Sequence, residues 1–224
     1  MTVPTPPARV LILYYSYSGQ SAVLVRRLVA GLADGGAEVR WERIQPRRAL
    51  RFPLGSIFKT FALMLITLFR VRFAIQPPAA APDDPWDLVV LAGPTWSWNP
   101  SGPVLALLDQ YPGFFRSRPV LAMISCRGYW SSHWRYLEKR LAKMAAIPCG
   151  PVVFDHPQSE PWRTIGVFLK IAGIAPERSS SFLGRFYRRF GHTKEQFDEA
   201  YQLGREVAAN LARKTIPADL CRRP

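Results

Sequence analysis

Ser16-Tyr17-Ser18-Gly19-Gln20-Ser21 places three hydroxyls around one glycine, directly after the apolar run Arg9 to Tyr15. Such residues suit an anion. Glycine lets the backbone turn tightly. Serine hydroxyls donate hydrogen bonds, and a helix starting there adds unpaired N–H groups and its positive dipole end. Together they would hold a phosphate without a lysine, although the same residues also suit a serine-rich helix cap. A second stretch, "GPTWSWNPSGPV" (93–104), sets Trp96 and Trp98 in a polar loop with Pro94, Thr95, Ser97 and Asn99. Tryptophans there suit stacking on a planar ring, or a lid packed on the protein's own helices. A third, "SCRGYWSSHW" (125–134), brings Cys126, Arg127, Gly128 and Tyr129. Its aromatic residues suit either a ligand or neighbouring helices. No residue stands out as a nucleophile or metal ligand: Cys126 reads as a small strand-end residue, and His133 and His156 are scattered.

All three stretches follow a β-type run. Residues 9–15 are short, apolar and β-rich, as buried parallel strands are. Residues 19–34 carry a helical face of Val23, Leu24, Leu28 and Leu32, stopped by Gly35-Gly36. Residues 37–44 alternate as a second strand, with Val39, Trp41 and Arg43 on one side. Further strands are predicted at 87–93, 119–125 and 150–155, with helices from Pro103, over 132–146 and over 193–213. This alternation of strand and helix predicts an α/β fold of βαβ units, a doubly wound parallel sheet with right-handed crossovers. In such sheets ligands sit at the carboxyl ends of strands, where all three loops lie. The 224 residues are read as one domain, with insertions at about 46–86 and 156–191.

The net charge is +14, which points to an anionic partner. The basic residues do not sit on polar surfaces, and no nucleic-acid-binding motif is present, so nucleic acid is not favoured. They flank apolar runs instead. Within 52–73, Thr60 to Phe69 is uncharged and apolar almost all round a helix, with Arg47, Arg48, Arg51 and Lys59 before it and Arg70 and Arg72 after. That is too short to span a bilayer, which takes about 20 residues. Residues 161–191 repeat the theme, with Trp162, Ile165, Phe168, Leu169 and Ile171 beside Arg163 and Lys170. Basic and apolar residues in this mixture suit an interfacial helix on anionic lipid, packing of the two insertions on each other, or a homodimer interface. The three cysteines match no disulfide or zinc spacing, and no leader is apparent. A reducing, cytoplasmic location is expected, peripheral on the inner membrane face.

These residues resemble the flavodoxin family. Ser16 to Ser21 is similar to its phosphate loop, with Ser18 where threonine is usual, and Pro94-Thr95-Trp96-Ser97-Trp98-Asn99 is similar to its second loop. Cys126 to Trp130 matches the third loop in position but not in detail. The resemblance covers about 9–155 and the last helix, and it implies a flavodoxin-like, doubly wound parallel five-stranded sheet of order 2-1-3-4-5. It implies FMN, its phosphate on Ser16, Tyr17, Ser18, Gly19, Gln20 and Ser21, its isoalloxazine stacked on Trp96 or Trp98, and its pyrimidine edge near the 126–130 backbone. Electron-carrier flavodoxins are typically acidic, whereas this chain is basic. The expected role is an FMN-dependent oxidoreductase taking electrons from NAD(P)H or a redox protein and passing them to a quinone or other lipophilic acceptor. The alternatives are a flavodoxin-type electron carrier docking on a membrane partner, and a flavin-free scaffold of the same fold. The insertions are also similar to those of a flavodoxin-like branch named for dialkylresorcinol condensation, which points to lipid-like pathways.

Overall fold

The computed structural model describes residues 6–178, 187 and 190–213. Five long strands form a parallel sheet: β1 Arg9–Tyr14, β2 Glu38–Arg43, β3 Leu88–Trp96, β5 Pro119–Cys126 and β6 Ile147–Asp155. A two-residue strand, β4 Asn99–Pro100, pairs back on the end of β3. The spatial order is β2-β1-β3-β5-β6, which is 2-1-3-4-5 counted over the long strands. The helices are α1 Gln20–Asp34, α2 Ile57–Leu68, α3 Gly102–Gln110, α4 Ser131–Lys143, α5 Trp162–Ala172 and α6 Lys194–Ala212.

Why the central strands read as unbroken apolar runs follows from where their side chains go. Successive side chains of a strand point to opposite faces. In β1 and just beyond it, Val10, Ile12 and Tyr14 enter one core with α1 and α6, and Leu11, Leu13 and Tyr15 enter the other with α3 and α4. Both faces are covered, so no polar alternation is needed. β2 lies at the sheet edge with none of its residues fully buried, which explains its mixed sequence.

α1 and α6 pack backbone to backbone. A Cβ on Gly31 would lie 2.0 Å from the Tyr201 carbonyl oxygen, and one on Gly204 would lie 2.4 Å from that of Leu28. α6 starts at a capping box, in which the Thr193 hydroxyl accepts from Gln196 N–H and the Gln196 side chain accepts from Thr193 N–H.

The two insertions supply α2 and α5, which pack on each other. Leu54 N–H donates to the Ile171 carbonyl at 2.7 Å, and Gly55 and Gly173 bring their backbones together. The expected internal packing is therefore present, but on the inner faces alone. The rest of the second insertion, 179–186 and 188–189, lies outside the described residues, as does the last part of the chain, 214–224. Cys149 is disulfide-bonded, contrary to the expectation drawn from cysteine spacing. Among the described residues no helix is long and apolar enough to cross a membrane.

Candidate functional site

The loop after β1 turns into α1 through Gly19, whose φ of 86° is left-handed and needs glycine. Gly19 has no side chain with which to cap α1, and no acidic residue occupies the first turn. The Ser16 hydroxyl accepts from Ala22 N–H at 3.2 Å, so one of the free N–H groups at the helix start is satisfied from within. Ser18, Gln20 and Ser21 line the adjoining cleft, whereas Ser16 and Gly19 support the loop from outside it. Arg43 donates to the Ser16 carbonyl at 2.8 Å and holds the loop from β2.

The second loop is a hairpin. β3 ends at Trp96, and Asn99 pairs back on it. The two residues between, Ser97 and Trp98, have φ of 43° and 64°. Consecutive left-handed residues match the twist of a tight hairpin, but for side chains other than glycine, asparagine or aspartate they are strained. α2 holds the turn in place. Ser97 Oγ donates to the Met64 carbonyl at 2.9 Å. Asn99 Nδ2 donates to the carbonyls of Thr67 and Leu68, each at 3.2 Å. These are last-turn carbonyls that a helix otherwise leaves unpaired.

Trp96 lines the cleft with the rings of Tyr15, Tyr17 and Phe73 set edge-on to it at 5.4–6.1 Å. Trp98 is not in the main cleft. It is half exposed and faces Tyr129 across a side cleft, their rings 6.1 Å apart. The side cleft and the main cleft share Met64, Thr95, Ser97 and Arg127. Of the two tryptophans, Trp96 is therefore the one at the cleft wall, and Asn99 acts on α2 and not on the cleft.

In the third loop, Cys126 and Arg127 line the cleft and Gly128 and Tyr129 do not. The Cys126 sulfur accepts from Gly128 N–H at 3.2 Å, and burial pushes the thiol up to about 11. It stays protonated and is a poor nucleophile. Burial lowers the Arg127 guanidinium from its ordinary value. The Glu160 carboxylate opposes that shift, and the side chain keeps partial access to solvent.

Two histidines complete the cleft, His156, which the sequence showed only as scattered, and His192, which it did not mark. His156 follows β6 and His192 precedes α6, so only the fold unites them. Gly191 N–H donates to His156 Nε2 at 3.1 Å, which assigns the proton of the neutral ring to Nδ1. Among the described residues, that buried Nδ1 has no partner. His192 lies 2.8 Å from the Ser125 hydroxyl through Nε2 and 3.3 Å from Gln196 Oε1 through Nδ1. Burial lowers both rings, His156 to about 4, so they are neutral at pH 7. His133, whose Nδ1 is 2.8 Å from the Thr95 hydroxyl, is held down to about 3 by burial. Histidines are weak sequence signals because their spacing carries nothing local here.

The main cleft holds about 980 Å³ of empty space, open solvent at its mouth included. Its floor is polar: Ser18, Ser21, Ser125, Arg127 and the two histidines. Its roof is apolar: Leu63 and Met64 of α2, and Val167, Phe168 and Ile171 of α5, with Phe52 and Phe190 beside them. Such a cleft suits a molecule with an anionic end, a flat ring and an apolar neighbour.

No family model and no curated protein matches the chain. Solved structures do. A flavoprotein from Lactobacillus acidophilus in complex with FMN aligns at 20% identity and a TM-score of 0.52, over 65% of this chain and 92% of that one. A flavodoxin from the domain Archaea aligns at 11% identity and a TM-score of 0.52, over 92% of this chain and 99% of that one. The rubredoxin oxygen:oxidoreductase of Desulfovibrio gigas aligns at 11% identity and a TM-score of 0.50, over 93% of this chain and 37% of that one. The chain has the flavodoxin-like fold.

Proposed function

We propose that the chain is an oxidoreductase that binds FMN in the main cleft and passes electrons or hydride to a quinone or another lipophilic acceptor. One observation carries this reading: a single cleft joins the strand-end loops to an apolar roof built by the two insertions.

The residues present fit FMN. The start of α1, with Ser18 and Ser21, offers N–H and hydroxyl donors for the phosphate, and the first turn holds no acid to repel it. Trp96 offers a planar wall, and Arg127 offers a positive charge at the cleft. FMN, when bound, supplies the electron and hydride chemistry. The thiol, phenol and imidazole groups around it are held neutral. Cys126 remains a thiol, Tyr17 is pushed up to about 12 by burial, and His156 is an uncharged Nδ1–H donor. Leu63, Met64, Val167, Phe168 and Ile171 exclude water above the floor and present a surface that an apolar acceptor wets. The electron donor in this reading is a reduced nicotinamide or a redox protein.

The test loads the purified protein with FMN, reduces it anaerobically, and times its reoxidation by two quinones, one bearing a long alkyl tail and one bearing none. Faster reoxidation by the tailed quinone supports the reading. Equal rates would move the assignment to a plain electron carrier, and failure to load would contradict it outright.

A further inference from the structure

A helix on a protein surface ordinarily buries its apolar stripe and exposes its polar one. α2 does the reverse. Its fully buried residues are Thr60, at 1% exposure, and Thr67, at 5%. Phe58 is 87% exposed, Phe61 57% and Phe69, its C-cap, 76%, and Leu65 and Leu68 are exposed with them. Positions three and four apart share a helix face, so Phe58, Phe61, Ala62, Leu65 and Phe69 form one outward apolar stripe.

The helix is anchored in this orientation. The Thr60 hydroxyl donates to the Ser56 carbonyl at 2.8 Å. The Thr67 hydroxyl meets that of Ser97 at 2.8 Å, and Asn99 takes up the Thr67 and Leu68 carbonyls. Ser56 caps the N-terminus through Lys59 N–H. Rotating the phenylalanines inward would break the bonds to Ser97 and Asn99, so the apolar stripe is a built outer surface.

Charge selects its partner. From Arg43 to Pro82 the chain has no aspartate or glutamate, and exposed Arg47, Arg48 and Arg51 precede α2 in the chain, Lys59 lies on it and Arg70 follows it. Exposed cations in the same segment as exposed aromatic and aliphatic side chains match the headgroup boundary of an anionic bilayer. A second copy of the chain would bring the same positive charge to the contact.

We propose that the outer face of α2 docks on an anionic lipid bilayer, with Phe58, Phe61, Leu65 and Phe69 entering the headgroup–acyl boundary and the segment's exposed cations on the headgroups. Leu63 and Met64, one turn round the same helix, roof the cleft. Docking therefore sets the cleft beside the bilayer, from which an apolar acceptor reaches it without crossing water. The docking stands on the exposure of α2, whereas its use for delivery rests on the redox reading above.

The experiment is sedimentation with phosphatidylglycerol vesicles and with phosphatidylcholine vesicles at low and high salt, on protein with and without added FMN. The full chain is compared with Phe58→Ser/Phe61→Ser/Phe69→Ser and with Arg48→Glu/Arg51→Glu/Lys59→Glu. Circular dichroism melts check that each variant folds, and sedimentation velocity gives its oligomeric state. The expected result is salt-sensitive binding to the anionic vesicles, weakened by about tenfold or more in each variant. Binding that ignores lipid charge, binding unchanged in the phenylalanine variant, or a wild-type dimer that this variant makes monomeric would each overturn the proposal. Loss of FMN uptake with vesicle binding intact would count against the redox reading alone.

Discussion

The Thr67 hydroxyl lies 2.8 Å from the Ser97 hydroxyl, and this contact joins the inverted helix α2 to a turn whose residues Ser97 and Trp98 both have positive φ. The insertion and the strand-end loop are thus one structural unit. The loop needs an outside hold because its backbone is strained, and the helix needs partners for its last carbonyls.

Removing either hydroxyl is expected to destabilise the protein by about 1 kcal/mol. The double variant Thr67→Val/Ser97→Ala should lose less than the sum, because one contact is removed twice. A denaturant-unfolding cycle over the four proteins measures this. Strict additivity would mean that the two residues act independently.

Arg127 should show opposite effects on stability and ligand binding. Arg127→Met removes a partly buried cation whose charge burial disfavours and should raise the melting temperature by about 2–4 °C, corresponding to about 1 kcal/mol. The same change should weaken FMN binding. Calorimetry and a fluorescence titration report the two effects separately. A fall in both would mark Arg127 as a structural residue.

Acid should weaken the fold early. His133 and His156 titrate near 3 and 4 in the folded chain, against about 6.5 when unfolded. Between those values the unfolded chain binds more protons, so stability is intact above about pH 6.5 and falls as pH drops toward 4. Each histidine contributes up to about 1.4 kcal/mol per pH unit in that window. Urea unfolding at pH 7, 6 and 5 should show the decline, and His156→Gln should reduce its slope. A flat profile would contradict neutral, buried rings.

The sequence makes much of this legible because the central strands are buried on both faces. Leu88 to Ala92 reads as an apolar run for that reason, and Gly19 marks the phosphate-type turn because no other residue takes its φ readily. Period and turn chemistry are local, so they survive in one dimension. What unites His156, His192 and Ser125 is the neighbouring ends of β5, β6 and α6, which no spacing encodes. The direction of α2 was equally hidden. A helix apolar almost all round gives no clue to which side is inward, and the choice was made by Thr67 and the last-turn carbonyls, which meet Ser97 and Asn99 of the hairpin. Trp98 misled for a similar reason: its place in a motif-like loop suggested the cleft, while a left-handed backbone turns it out toward Tyr129.

The most direct test of the central claim is a comparison of FMN with riboflavin, which differ by the phosphate alone. Each would be titrated into flavin-free protein while fluorescence and the visible spectrum are followed, in the wild type and in Ser18→Asp. The account predicts tight, fluorescence-quenching uptake of FMN, weaker uptake of riboflavin by about tenfold or more from loss of the charge-assisted hydrogen bonds, and loss of that preference in Ser18→Asp. Equal affinity for both flavins, or no uptake of either, would mean that the loop from Ser16 to Ser21 is a helix cap and that the cleft serves another ligand.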